Sequence, residues 1–173
     1  MKTQIPDDRK QVLERRRAEL LRTMPYLLDL EKKLLSMGGE ALIFREETRE
    51  DTELVVKEGR LFPLKYRRMN VGKASNCHGN SACLYAQGLN IATGYAMKEG
   101  LWRQHSWGLE NYKTPSGKVV ERIVETTREF DVYFGAALNG QRASTFTMEN
   151  LGRHPNQQER KVLLGRLKSS ANQ

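Results

Sequence analysis

GKASNCHGNSACLYAQGLNIATGYAMKEGLWRQHSWG, residues 72–108, decides the fold. Ser75 and Asn76 are both helix-capping residue types, and Ala82, Leu84, Tyr85 and Ala86 follow at helical spacing. A helix is therefore predicted from about 76 to 87, and Gly88 ends it. Beyond it the pattern becomes strand-like, in IATGYAM (91–97) and LWRQHSWGL (101–109). The intervening KEG is a hairpin signal. The same stretch holds both cysteines, both tryptophans and two of the three histidines.

Downstream, TPSG marks a turn before VVERIVETT (119–127), which reads as a strand, and DVYFGAAL (131–138) reads as another strand or an edge. NQQERKVLLGRLKSS reads as a C-terminal helix. Upstream, residues 7–37 read as helix interrupted at Pro25, with Thr23 capping the second half and Pro25 in its first turn. Leu27, Leu28, Leu30, Leu34 and Leu35 recur at helical spacing until Gly38 and Gly39. ALIF (41–44), TELVV (52–56) and LFPLKY (61–66) read as short strands, and REETREDTE as a solvated loop. The expected class is α+β: an antiparallel β-sheet packed against a central helix carrying the cysteine at its N-terminus, with extra N- and C-terminal helices. The 173 residues fit a single domain, with a helical segment over 1–39, an α+β core over 40–138 and a helical segment over 139–173.

Hydrophobic residues are 38% and charged residues 29%, polar for a globular chain but too apolar for a disordered one. No apolar run approaches the roughly 20 residues that span a bilayer. MKTQIPDDRKQVLERRR has no apolar core of a secretory signal, and two cysteines six apart make no disulfide framework. The expectation is a cytoplasmic protein with no membrane partner. The net charge of +8, with a pI near 9.6, favours anionic partners, nucleic acid among them. The basic residues are spread over RKQVLERRR, KYRR and ERKVLLGRLK, so a solvated basic surface is the plainer reading.

Cys77 falls in the first turn of the predicted helix, where N–H groups point outward and the dipole favours a thiolate. Cys83, in a later turn beside Leu84 and Tyr85, reads as a small core residue. On the 101–109 strand, alternation puts Arg103, His105 and Trp107 on one face. On the 119–127 strand it puts Val119, Glu121, Ile123 and Glu125 together. Each residue alone has a structural alternative: a buried cysteine, a hydrogen-bonded histidine, a solvent-facing glutamate. Together they form a chemical unit. A thiol needs a base to take its proton, and the base needs an acceptor to hold its tautomer. The Cys77 N–H with a nearby amide can stabilise an oxyanion, with Asn76, Asn80 and Gln104 as candidates, and Trp107 can wall the site.

These residues, in NCHGNSA (76–82), GYA…WRQHSWG (94–108) and IVETT…YFG (123–135), resemble the transglutaminase-like branch of the papain-like cysteine superfamily. The resemblance implies Cys77 as nucleophile, His105 as base and Glu125 as the orienting acid, where aspartate is usual. It implies thioester chemistry at an acyl or amide carbon: peptide or isopeptide hydrolysis, deamidation, or transfer to an amine. A peptide or protein amide is then the substrate. No cofactor and no metal are called for. Residues 1–65 and the C-terminal helix carry no part of the resemblance.

Two rival readings stand beside it. Cys77, His78, Cys83 and His105 supply zinc-ligand types, but C-x5-C with its second cysteine inside a helix is a poor clamp. A basic, non-enzymatic binding protein on the same fold is the other, although no zinc finger or RNP-like signature is present. His78 reads either as a substrate contact or as a solvent-facing residue, and His154 has no assigned role. GKVV near 117 lacks the upstream glycine of a phosphate loop.

Overall fold

The computed structural model describes residues 5–151, 161–162 and 164–165. The fold is α+β. Its elements run α1 (Asp7–Thr23), α2 (Leu27–Ser36), β1 (Ala41–Leu42), α3 (Arg49–Glu58), β2 (Arg60–Leu61), β3 (Arg68–Met69), α4 (Cys77–Ala86), β4 (Asn90–Lys98), β5 (Leu101–Lys113), β6 (Val119–Glu125), β7 (Val132–Leu138) and α5 (Gly140–Leu151). Seven strands form one sheet in the order β2-β7-β4-β5-β6-β3, with β1 paired to β5 off that path. β2–β7 and β5–β6 are antiparallel, whereas β1 joins β5 and β3 joins β6 in parallel.

The turn after β4 uses Glu99 and Gly100, both at positive φ (54° and 74°), the backbone that a two-residue hairpin requires. The turn after β5 closes through Thr114 and Lys118, with Gly117 at φ 83°. The helix signals differ from the sequence reading in two places. Thr23 does not cap α2. It ends α1, where its hydroxyl and the Met24 N–H both donate to the Leu20 carbonyl at 3.2 and 2.7 Å. TELVV is not a strand but the body of α3. Thr48 caps that helix, accepting from the Asp51 N–H at 3.1 Å while its hydroxyl donates to the Asp51 carboxylate at 2.7 Å. This reciprocal cap outweighs the strand preference of Thr52, Val55 and Val56. LFPLKY also fails to form one strand. β2 ends at Leu61, Pro63 has no N–H for a ladder, and Tyr66 adopts φ 70°.

The chain forms two compact units. The first comprises residues 5–62, 94–105 and 130–136. Its core gathers Leu20, Leu27, Leu30, Leu34, Leu42, Phe44, Val55, Tyr95, Trp102 and Phe134. Leu27, Leu30 and Leu34 are the buried stripe of α2, each contributing about 1.5–3 kcal/mol of burial. Arg17 grips Glu31 with two hydrogen bonds of 2.7 Å, tying α1 to α2. The Trp102 indole donates to the Gly38 carbonyl at 2.7 Å.

The second unit comprises residues 63–93, 106–129 and 137–151, with the described residues of 161–165. Here α4 lies against the β5–β6 pair. Leu84 sits directly on Gly108, where an added Cβ would fall 2.6 Å from Leu84 Cδ1 and 3.1 Å from Val124 Cβ. On its other side α4 packs on α5 through Ala82, Ala86 and Leu151, with Cys83 against them. Most of NQQERKVLLGRLKSS lies outside the described residues.

Candidate active site

Cys77 is the first residue of α4 and is half-buried. The first turn of α4 closes with the Asn80 N–H donating to the Asn76 carbonyl at 2.9 Å, so the amides before it project from the helix end. Cys77, Ser81 and Leu84 fall on one stripe of the helix, the stripe that Leu84 lays on Gly108 and Val124. One turn nearer the N-terminus, the Asn80 amide donates to the Thr126 carbonyl at 3.5 Å. The helix therefore runs toward the C-terminal end of β6. Cys77, about 5 Å further on, stands where that strand has ended.

Glu125, the last residue of β6, is fully buried. Continuing the β5–β6 register by one pair sets it opposite Trp107, also fully buried, on the face away from Leu84. Its carboxylate folds back around the strand end. Oε1 accepts from the Thr126 N–H at 2.8 Å, the Thr127 N–H at 2.7 Å and the Thr127 hydroxyl at 3.0 Å.

The three proposed supporting amides have different fates. Asn80 is a structural clamp: its amide donates to the Lys73 carbonyl at 2.9 Å and its oxygen accepts from the Lys73 N–H at 3.2 Å. Gln104, in the first unit, donates to Glu47 Oε1 at 2.5 Å. Asn76 occupies the N-cap position without making the cap bond. Its Nδ2 is buried with no hydrogen-bond partner and lies over Gly79, where a Cβ would fall 2.5 Å away. An unused buried donor beside a helix-opening cysteine costs stability.

His105, in the first unit, is buried and packs at a tilt against Phe130 and Tyr133, with ring centroids 4.6 and 6.1 Å away. The Phe130 N–H in turn donates to the Tyr133 hydroxyl at 3.3 Å. His78 is not solvent-facing. Its Nδ1 bonds Ser106 Oγ at 2.6 Å and its ring meets Phe146 edge-on at 5.8 Å. The Ser106 hydroxyl donates onward to Thr93 at 3.0 Å, which leaves Nδ1 of His78 as the donor in that pair. His154 lies outside the described residues.

Sequence reading missed two polar networks. One is the His78–Ser106–Thr93 chain. The other surrounds Glu47, whose carboxyl meets Gln104 and Tyr95 and is pushed up to about 7, chiefly by burial. The signal for both was present as polar residues, Thr93, Gln104 and Ser106, on strands otherwise rich in buried apolar positions. Among the described residues, no three histidine, cysteine or acidic side chains are grouped to hold a metal ion, and no helix is long and apolar enough to cross a membrane. Compared with known proteins, the chain matches no family model, no curated protein and no solved structure.

Proposed function

We propose that the protein is a cysteine-dependent enzyme of the transglutaminase-like kind, acting on amide or acyl bonds, with Cys77 as nucleophile, His105 as base and Glu125 as the acid that orients the histidine. The observation that carries this reading is the orphaned Nδ2 of Asn76 beside Cys77. A buried amide donor with no structural use, next to the first turn of a helix, joins the Cys77 N–H as the second donor of an oxyanion site.

In the proposed reaction His105 takes the Cys77 proton and the sulfur attacks the carbonyl carbon. The carbonyl oxygen becomes an oxyanion held by the Cys77 N–H and the Asn76 amide. Collapse breaks the C–N bond, and the proton on His105 leaves with the amine. Water or a second amine, deprotonated by His105, then attacks the thioester and releases Cys77.

The test is the rate of alkylation of Cys77 against pH, followed by mass spectrometry, in wild type and His105→Ala. The expected result is fast labelling well below the ordinary thiol range of about 8.5, lost in the variant, with Cys83 as the slow internal comparison. Equal, slow labelling of both cysteines in both proteins would sink the enzymatic reading. It would favour a non-enzymatic binding protein, a second reading supported by the absence of any Asp or Glu over residues 60–98.

A further inference from the structure

Among the described residues, β3 is the last strand at its end of the sheet. Its extension pairs with β6 through alternate residues: the Asn70 N–H donates to the Glu125 carbonyl at 2.7 Å and the Gly72 N–H to the Thr126 carbonyl at 2.8 Å. Alternation turns the N–H and C=O groups of Met69 and Val71 the other way, to the open edge. Residues 69–75 are exposed without interruption, Val71 at 74%. Open edges are normally blunted by charge or proline, because they template another strand. This one instead presents Met69 and Val71. The chain continues from it through residues 72–76 into Cys77. Gly72 keeps that passage tight against α4, since a Cβ there would fall 2.6 Å from Asn80 Cγ.

Lys65, Arg67, Arg68 and Lys73 are the basic residues that flank the edge in sequence. Arg67 is paired with Glu129 at 3.0 Å and Arg68 with Glu110, but Lys65 and Lys73 are exposed on either side of the edge.

We propose that residues 69–71 are the substrate-docking edge, and that the substrate is an extended acidic segment of a polypeptide, which adds as a strand beside β3 and is led along residues 72–76 to Cys77. The inference rests on Cys77 being the nucleophile. Main-chain hydrogen bonds to Met69 and Val71 supply affinity. Apolar residues at alternate positions pack on those two side chains, and acidic ones meet Lys65 and Lys73. An enzyme that docks main chain this way selects unfolded tails or loops over globular surfaces.

Binding is tested in Cys77→Ala, so that turnover plays no part. The probe is a fluorescein-labelled peptide of about ten residues, alternating valine and glutamate around one glutamine. Saturable binding is expected, with slowed hydrogen exchange at the Met69 and Val71 amides. Val71→Pro, which removes one outward N–H and leaves the inward bonds of Asn70 and Gly72, is expected to weaken binding at least about tenfold. A peptide N-methylated at alternate amides is expected to lose the same affinity on the unaltered protein, which covers a folding failure of the proline variant. Three outcomes would overturn the proposal: no binding, binding indifferent to N-methylation, or tighter, steeply salt-dependent binding of a single-stranded oligonucleotide without protection at residues 69–71. The two readings fail separately. An inert Cys77 with a protected edge removes the chemistry and keeps the docking. An activated Cys77 with an unprotected edge does the reverse.

Discussion

Gly108 shows how much one residue can decide here. It lies beneath Leu84, and any side chain would enter the space between α4 and the sheet. Gly108→Ala is expected to destabilise the fold by about 1–3 kcal/mol through overpacking. Combining it with Leu84→Ala should recover part of that loss, because the collision is with Leu84 Cδ1. Urea melts of the two single variants and the double variant check this. Strictly additive losses would show that the contact is not the cause. The candidate site has the same residue-level character. Cys77 was legible because serine and asparagine precede a helical pattern. The separate fates of Asn76, Asn80 and Gln104 were not, because an amide's partners come from segments distant in the chain. Asn80 is taken by Lys73 and Thr126, and Gln104 by Glu47, which leaves Asn76 with the unused donor.

At the scale of elements, α3 is the informative case. Its apolar run, ELVV, reads equally as strand or helix when only composition is weighed. The cap at Thr48, with Asp51 three residues on, is the local feature that settles it. Thr48→Ala is expected to cost about 1 kcal/mol, and Thr48→Asp to retain most of the stability. Thermal melts of both would expose the prediction, which fails if alanine is tolerated as well as aspartate. The opposite case is the β4–β5–β6 meander, in which β4 and β5 extend beyond their predicted lengths and β6 starts where predicted but ends two residues early, at Glu125; its turns, Glu99–Gly100 and the one ending at Gly117, carry the required positive φ.

For the molecule as a whole, the Glu47 carboxyl makes stability depend on pH. Burial raises it from 4.5 to about 7, with Asp51 adding to the rise and hydrogen bonds from Tyr95, Gln104 and Thr52 opposing it. The folded protein therefore binds more protons than the unfolded chain between those two values. Stability contributed by the protonated form is present at low pH and falls as pH rises through the window to about 7. Glu47→Gln, which keeps the shape without the charge, is expected to gain about 1–3 kcal/mol at pH 8 and little at pH 4. Chemical denaturation at the two pH values reads the difference directly, and an equal effect at both would refute it.

What the sequence determined by itself is local: the helix that opens at Cys77, the alternating strands after it, the glycine-ended turns and the basic balance. Each depends on residues within a few positions of one another, where spacing and cap chemistry act. Only the tertiary structure decided that β1 and β3 join the sheet in parallel, that Glu125 turns back on Thr126 and Thr127 in a fully buried setting, that His78 serves Ser106, and that, among the described residues, β3 ends the sheet, close in sequence to Cys77. Those features are set by which distant segments pack together. Hydrogen-bond partners and desolvation are properties of that packing, and no periodicity along the chain records them.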